Sequence, residues 1–356
     1  LGLCLVLLTA ALAVRADKET PPSREAADQA FELKNYRDAA QIYAALLDGD
    51  PKGEPMHHAS RRLIVCHLRL QLFDDAIAGA EGYIERTRGT PHEARAERLL
   101  GNLYLTIPHW GTRSGGKFRR GQYGQGIRLR SNRFDKERAR QHMERARELY
   151  ARWDGADLGA LPEKERAGWH EERIECSMDL AAICGRFGIY ENEWRWWWGF
   201  WGERDDLAAE TAGEQDFQEY YADWQLRRKR PIGLRVDSAG RPIFPVASKS
   251  YERARSDDQR ILYLLAEARD LDRTPNHKYR AVSLFRQAML ARTRFGMDRL
   301  NSYAGTWWSG GRYPLQEEIK KFNPWELKDD QALILAGGKL VTAKLPEAWN
   351  VVELLR

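Results

Sequence analysis

Apolar residues recur with helical spacing through roughly the first ninety positions of the chain. Two amphipathic stretches meet at the polar turn Lys34-Asn35-Tyr36. The small residues Ala27 and Ala39 stand where two packed helices would approach each other most closely. This spacing predicts an antiparallel pair of helices joined by a short turn.

The same pattern returns further along the chain. Phe73 occupies the turn of a second predicted pair, and Ala76 follows Ala39 by 37 residues, which is close to the period of about 34 of tetratricopeptide repeats. A third unit begins at Leu99, with its second helix displaced to Asp135–Tyr150. The fold class predicted from these three units is all-α, a tetratricopeptide-like array of helical hairpins.

The remainder of the chain is also predicted to be largely helical. Further helices are expected at Glu163–Phe187, Glu203–Arg228, Tyr251–Asp270, His277–Phe295 and Lys328–Thr342. One small β-hairpin is expected at Leu234–Phe244, with Gly240 in its turn. Residues 301–324, rich in Gly, Ser and Trp, are expected to form an ordered loop.

The first residues have the pattern of an export signal. An apolar run opens the chain and ends in two small-residue patterns, Ala11-Leu12-Ala13 and Val14-Arg15-Ala16. Neither an initiator Met nor a basic segment precedes it, so residues 1–16 are interpreted as a signal peptide truncated at its start. We expect an exported protein of the periplasm or cell envelope. Residues 17–153 would hold the repeats and residues 154–356 a further helical region.

Composition narrows the class of protein. Of 356 residues, 43% are hydrophobic and 31% charged, which is typical of a globular chain. The net charge of +5 is too small to indicate nucleic-acid binding by itself, and no apolar run reaches the length of a membrane-spanning helix. Cys176 and Cys184 are predicted on one helix about 12 Å apart, too far for a disulfide. Together with Cys66, they are expected to be buried and reduced.

An unusual insertion at residues 107–134 carries seven Lys or Arg residues, six Gly and no acidic residue. One interpretation is a Gly-rich structural loop that folds over the helices and pairs with acidic residues such as Glu171, Glu172 and Glu175. The other is a surface that grips a nucleic-acid backbone, which the modest net charge disfavours. The candidate binding or structural residues of this loop are Trp110, Arg113, Lys117, Phe118, Arg119, Arg120 and Tyr123.

Motifs for catalysis are weak. Gly111–Lys117 fits the first part of a phosphate-binding loop, but Phe118 stands where Mg²⁺ coordination needs Ser or Thr. His170 is not part of a zinc-protease motif, and no nucleophile-elbow motif occurs. No catalytic, cofactor-binding or metal-binding residue is therefore predicted, and the chain is not expected to be an enzyme. The aromatic run Tyr190–Trp201 is interpreted as core packing, with a carbohydrate or peptide platform as the alternative.

From residue 107 onward the order of motifs resembles the N-terminal region of the large bacterial α-macroglobulin-like proteins of planctomycete type. The residues that carry the resemblance are Ile107-Pro108-His109, Phe118–Gln122, Arg138-Ala139-Arg140, Asp237–Phe244, Ser250–Arg260, Arg294-Phe295-Gly296, Leu327–Asp330 and Lys344–Asn350.

The resemblance implies an exported helical region that precedes macroglobulin-type β-sandwich domains in the parent protein. Those β-sandwich domains are associated with trapping proteases. Those domains are absent from this chain, which also lacks the reactive thioester motif of such proteins. The segment Ala212-Gly213-Glu214-Gln215 matches that motif only by chance and has no cysteine. The expected function is a non-catalytic interaction or scaffold module related to endopeptidase inhibitors. Its partner would be another protein or the parent's own β-sandwich domains. The alternative is a stand-alone tetratricopeptide module that binds peptides or proteins, and binding of nucleic acid through the basic loop is disfavoured.

Overall fold

The computed structural model describes residues 23–122, 124–154, 158–159, 161–190, 234, 236–295, 326–336 and 339–355. Within these residues the helices are α1 (Arg24–Glu32), α2 (Tyr36–Asp48), α3 (Glu54–Arg69), α4 (Phe73–Thr87), α5 (Pro91–Thr106), α6 (Asn132–Asp154), α7 (Glu163–Tyr190), α8 (Asp257–Leu271), α9 (Lys278–Phe295) and α10 (Val351–Leu355). The strands are β1 (Trp110–Ser114), β2 (Lys117–Arg120), β3 (Ile127–Arg130), β4 (Gln331–Ala336) and β5 (Lys339–Lys344).

The protein is mostly helical, as the sequence predicts, with small antiparallel sheets. It divides into two compact units. The first contains α1 to α4 together with Arg119–Gly121, and the second contains the other elements. In the described part of the chain, no helix is both long enough and apolar enough to cross a membrane.

In the first unit, the α1–α2 and α3–α4 turns share one backbone geometry at a spacing of 37 residues. Lys34 and Gln71 both adopt left-handed φ angles, 62° and 59°. In each turn, the next residue donates its backbone N–H to the carbonyl five residues back. These bonds run from Asn35 to Ala30 and from Leu72 to His67. The helices α1 and α3 therefore end in the same Schellman-type turn, so the repeat seen in the sequence is also present in the structure.

Small buried residues allow the helices of the first unit to pack closely. Ala39 and Ala76 are completely buried at equivalent positions of the two pairs. The hydroxyl of Tyr43 donates a hydrogen bond to Asp28, and His58 Nε2 lies 2.6 Å from the same carboxylate. Burial raises the pKa of Asp28, but these two hydrogen bonds and the neighbouring positive charge, including that of Arg24, together outweigh it and hold the pKa below its ordinary value.

The second unit begins with the pair α5 and α6. Gly101 lies against α6, where an added Cβ would stand 3.2 Å from the backbone oxygen of Ala139 and from Cε of Met143. Ala139 and Met143 are completely buried. A Cβ at this position would require its neighbours to move by a few tenths of an ångström, so the glycine favours the close approach of the two helices. The three strands β1 to β3 stand between α5 and α6, where the other pairs have a short turn.

Partly buried ion pairs join α5 to α7. Arg95 donates to Glu172 at 2.7 Å and also to Glu165, while Arg98 donates to Asp179 at 2.8 Å. The two guanidinium groups are less than one fifth exposed, so water screens these pairs less than it would at the surface. A similar pair joins α6 to α8, where Arg147 donates to Glu267.

The predicted helix at Lys328–Thr342 is wrong. The structure has an antiparallel hairpin there, in which β4 and β5 pair from Gln331↔Lys344 to Ala336↔Lys339. A short apolar run does not distinguish a helix from a buried strand, and two consecutive Gly residues at the middle of this run favour a tight turn.

The other predicted elements of this region agree more closely. The helices expected at Glu163–Phe187 and His277–Phe295 are present as α7 and α9. The helix expected from Tyr251 starts six residues later, because Ser256 caps it by accepting the Gln259 N–H. The hairpin with Gly240 in its turn is present, closed by an antiparallel bridge between Val236 and Pro242. It is not the only β structure among the described residues, since these also contain β1 to β5. Those five strands were not predicted.

The signal peptide expected at residues 1–16 lies outside the described residues. The same holds for the helix expected at Glu203–Arg228, the loop at Asn301–Pro324 and the aromatic run beyond Tyr190.

Candidate functional site

The basic insertion folds as a three-stranded antiparallel sheet in the order β2-β1-β3, and not as the expected loop. Gly115 and Gly116 form the two-residue turn between β1 and β2, with φ angles of 58° and 78°. Two consecutive left-handed residues match the twist of a hairpin, and Gly adopts them without strain. The Gly pair of the apparent phosphate-loop motif therefore serves a β-turn, and Lys117 begins a strand.

The pairing of β1 with β3 sets which side chains share a face. Trp110 lies opposite Arg130, and Thr112 lies opposite Arg128. Because side chains alternate along a strand, these four residues lie on one face of the sheet. We call them the basic sheet face. Leu129, opposite Gly111, lies on the other face and is buried.

Thr112 fixes the chain segment that crosses this face. Its hydroxyl donates to the backbone carbonyl of Gln122 at 2.9 Å and accepts from the backbone N–H of Gly124 at 3.2 Å. The side chain of Thr112 is buried as a result. Both hydrogen-bonding functions of one hydroxyl are thus used to hold the connection between β2 and β3.

The predicted loop residues occupy different environments. Lys117 and Arg119 are exposed, whereas Arg120 is buried, with its guanidinium Nε 3.6 Å from Asp74 of α4. The remaining three described candidates are half-buried, namely Trp110, Arg113 and Phe118. Tyr123 lies outside the described residues. The structure therefore brings together Trp110 with two arginines that were not among the candidates, Arg128 and Arg130.

The acidic partners expected for the loop are engaged elsewhere. Glu172 accepts from Arg95 of α5, and Glu175 accepts from Arg98 of α5. Glu171 accepts a hydrogen bond from the hydroxyl of Tyr279. The expectation that these residues hold the basic insertion is wrong, because their helix, α7, presents them to α5 and α9.

An open depression of about 500 Å³ lies at the start of β1. Its lining combines aliphatic side chains with an indole, an imidazole and a guanidinium group. The residues are Leu105, Thr106, Ile107, Pro108, His109, Trp110 and Arg130. Such a mixture can hold an apolar group next to a negatively charged one.

Beside the depression, His109 and Ser131 share one buried carboxylate. His109 Nδ1 lies 3.0 Å from Asp135 Oδ2, and the Ser131 hydroxyl donates to the same oxygen at 2.6 Å. A nucleophilic triad needs the imidazole between the hydroxyl and the carboxylate. Here the carboxylate lies between the other two, so the imidazole does not activate the hydroxyl. The cluster instead ties β1 and β3 to the start of α6.

The three described cysteines, Cys66, Cys176 and Cys184, are buried and unpaired, as predicted. Burial raises the pKa of Cys66 to about 11 and that of Cys176 and Cys184 to about 12. These thiols are poor nucleophiles near neutral pH. Among the described residues, no group of three or more His, Cys, Asp or Glu side chains is arranged to hold a metal ion.

A sequence signal for Arg128 and Arg130 was present. Ile127-Arg128-Leu129-Arg130 alternates apolar and charged residues, the pattern of a strand with one face buried.

Comparison of the chain with models of known protein families finds no match, and comparison with curated proteins finds no matching relative.

Proposed function

We propose that the chain is a non-catalytic interaction and scaffold module, the tetratricopeptide-like helical region of an exported α-macroglobulin-like protein. The observation that carries the proposal is the repeated hairpin. The turns at Lys34 and Gln71 have the same hydrogen bonds 37 residues apart, and the pair α5–α6 follows them. Repeated hairpins of this kind present extended surfaces for protein partners.

The resemblance to the macroglobulin-like proteins gains support from what its motif residues do. The indole of Trp349 donates to the Pro245 carbonyl at 2.7 Å, and the Tyr251 hydroxyl donates to Glu144 at 2.5 Å. Asn350 accepts backbone N–H groups at the start of α10. Asp237 accepts two backbone N–H groups in the hairpin of Gly240. Motif residues with anchoring contacts of this kind suit a shared fold.

In this proposal the partner is the parent's own β-sandwich region or another protein of the cell envelope. The ion pairs between α5 and α7 and between α6 and α8 would make the helical region a stiff support. Arg147 adds to this stiffness, since its guanidinium also lies 5.2 Å from the ring of Tyr251 and 5.5 Å from that of Tyr263.

The gene itself provides the first test. A reading frame that continues beyond Arg356 into many short alternating strands is the expected result. The first β-sandwich domain that it encodes should then bind this chain in a calorimetric titration. A stop codon directly after Arg356 would refute the macroglobulin assignment and leave a stand-alone tetratricopeptide module. Absence of binding by the encoded domain would refute the partner.

Export is tested separately. Residues 1–30, supplied with a start codon and two lysines, are fused to an alkaline phosphatase that lacks its own leader. We expect phosphatase activity, which depends on export, and loss of that activity when Leu5 and Leu8 are both changed to Asp. Equal activity of the two fusions would contradict the assignment of a signal peptide.

A further inference from the structure

Arg269 of α8 is held differently from four other partly buried arginines of the second unit. Those four donate to carboxylates across a helix interface, in the pairs Arg95–Glu172, Arg98–Asp179, Arg147–Glu267 and Arg173–Asp154. Arg269 donates instead to two neutral oxygens of α9, the Ser283 hydroxyl at 3.3 Å and the Gln287 side-chain carbonyl at 2.7 Å. Among the described residues, no carboxylate forms an ion pair with its guanidinium group.

These hydrogen bonds fix the orientation of the Arg269 guanidinium. Nη1 donates to both oxygens, so its two hydrogens are used. The acceptors are buried and held in turn, because Ser283 donates to the Leu265 carbonyl at 2.6 Å and Gln287 donates to the Ala348 carbonyl at 2.7 Å. No described residue accepts from the edge formed by Nε and Nη2. The two parallel N–H bonds of that edge match two oxygens of one anion.

Arg280 brings a second guanidinium group to the same part of the interface. It precedes Ser283 by three residues and Gln287 by seven, so the three side chains follow one face of α9. Arg280 is exposed, and its guanidinium has no hydrogen bond or ion pair among the described residues. The sequence of α9 contains no Asp or Glu that could neutralise it from its own helix.

The charges around the two arginines favour a bound anion. Burial lowers the pKa of the Arg269 guanidinium, exposed Asp270 opposes this only in part, and the positive charge of Arg280 adds to the lowering. Asp272 stands before α9, but its oxygens accept the backbone N–H groups of Thr274 and Arg280. The nearby carboxylates therefore do not compensate for the burial of one positive charge beside another.

We propose that Arg269 and Arg280 form a binding site for a tetrahedral oxyanion, phosphate or sulfate. Two oxygens of the anion accept from Nε and Nη2 of Arg269, and the remaining oxygens face the guanidinium of Arg280. A carboxylate has two oxygens and one charge, so it would satisfy Arg269 and leave Arg280 without a partner. The site does not depend on the proposed role as an interaction module, since it requires only the packing of α9 on α8.

The test titrates the whole chain with sodium phosphate in a calorimeter at pH 7.5, with NaCl adjusted to keep the ionic strength constant. We expect saturable binding that sulfate reproduces and acetate does not. Hydrogen exchange measured with and without phosphate gives the location. Amides of α8 and α9 should exchange more slowly when phosphate is bound, while those of α2 keep their rate.

Matched variants identify the two side chains. Arg280→Gln should leave the free energy of unfolding unchanged and weaken phosphate binding about tenfold, because a charged hydrogen-bond donor is lost. Arg166→Gln removes another exposed arginine, on α7, and should change the affinity less than about twofold. Arg280→Lys retains the charge and should keep the affinity within about threefold of the wild type. Arg269→Gln should abolish saturable binding, with circular dichroism as the check that it folds; if it does not fold, the Arg280 variants decide.

Four results would overturn the proposal. The first is heat that does not saturate with phosphate, and the second is equal affinity for acetate and phosphate. The third is equal loss of phosphate binding in Arg280→Gln and Arg166→Gln. The fourth is slower hydrogen exchange confined to helices other than α8 and α9.

Discussion

Replacing Gly126 with Ala should open the three-stranded sheet. At φ 139° the residue occupies a conformation that residues with side chains rarely adopt, and its new Cβ would lie 2.2 Å from the Arg113 oxygen and 2.9 Å from the carbonyl carbon. The obstacle is the backbone of β1, which is paired on both sides, so no flexible side chain can move away.

The cost can be worked from this geometry. Relief requires β1 and the Gly126 segment to separate by about 1 Å, since a carbon and an oxygen in contact stay about 3.3 Å apart. Separation of that size would break about two ladder hydrogen bonds at about 1 kcal/mol each. Backbone strain adds about 1–3 kcal/mol. The total of about 3–5 kcal/mol is comparable with the stability of many small folded regions, so the sheet should open locally.

Hydrogen exchange measured by mass spectrometry checks this expectation. Amides of β1 and β3 should exchange much faster in Gly126→Ala, while those of α7 keep the wild-type rate. Gly124→Ala is the matched control, because its Cβ would meet nothing within 4 Å and its φ is not left-handed. It should leave exchange unchanged. Wild-type protection of β1 in Gly126→Ala would refute the close approach on which the reasoning depends.

Three further predictions concern the helical body. Lys34→Gly and Gln71→Gly should each raise the free energy of unfolding, measured by urea titration, by about 0.5–1 kcal/mol, because Gly adopts the left-handed conformation of the turn without the strain of a side chain. A decrease in either variant would contradict the turn geometry. Burial raises the pKa of Glu267, but the hydrogen bond and charge of Arg147 outweigh it and hold the pKa below the ordinary 4.5. The stability that this pair contributes is therefore fully present above about pH 4.5. It is lost as the pH falls through the lower pKa that Glu267 has in the folded state. Glu267→Gln should lower the unfolding free energy by about 3 kcal/mol at neutral pH and flatten this acid dependence in urea titrations; an unchanged acid limb would count against it. In a chain with Cys4 changed to Ser, a thiol reagent should label the buried thiols of Cys66, Cys176 and Cys184 only after unfolding in guanidinium. Rapid labelling of the native chain would show instead that these thiols are accessible.

The helical pairs could be predicted because their signals are local. Small and aromatic residues recur with the period of the pairs, as Ala39 and Ala76 do, and each lies within a turn or two of the residues that it organises. The left-handed residues of the turns could not be predicted in the same way. Lys34 and Gln71 are neither Gly nor Asn, so the helix ends are imposed by packing and not by the preference of the residue.

The sheets escaped prediction for a different reason. Glycine-rich sequence indicates a loop unless the flanking residues alternate, and the alternation of β3 covers only four residues. The hairpin of β4 and β5 is so apolar that its periodicity fits a helix equally well.

The ion pairs of the second unit depend on distant parts of the chain. Arg95 and Glu172 are 77 residues apart in sequence, and no local pattern links them. A prediction based on the loop's own charge therefore assigned the acidic residues of α7 to the wrong basic partners. Contacts of this kind follow from the packing of whole helices, which is known only once the fold is known.

The equivalence of the first two turns has a consequence for the history and the engineering of the chain. Excision of one period, residues 35–71, would join Lys34 to Leu72 with the same φ angle and the same hydrogen-bond register on either side of the junction. The shortened chain would pair α1 with α4, and Ala27 would take the place of Ile64. The missing side-chain volume could be restored by Ala27→Ile. A hairpin here is thus a unit that could be removed or inserted with the left-handed residue and the hydrogen bonds of the turn retained at the junction.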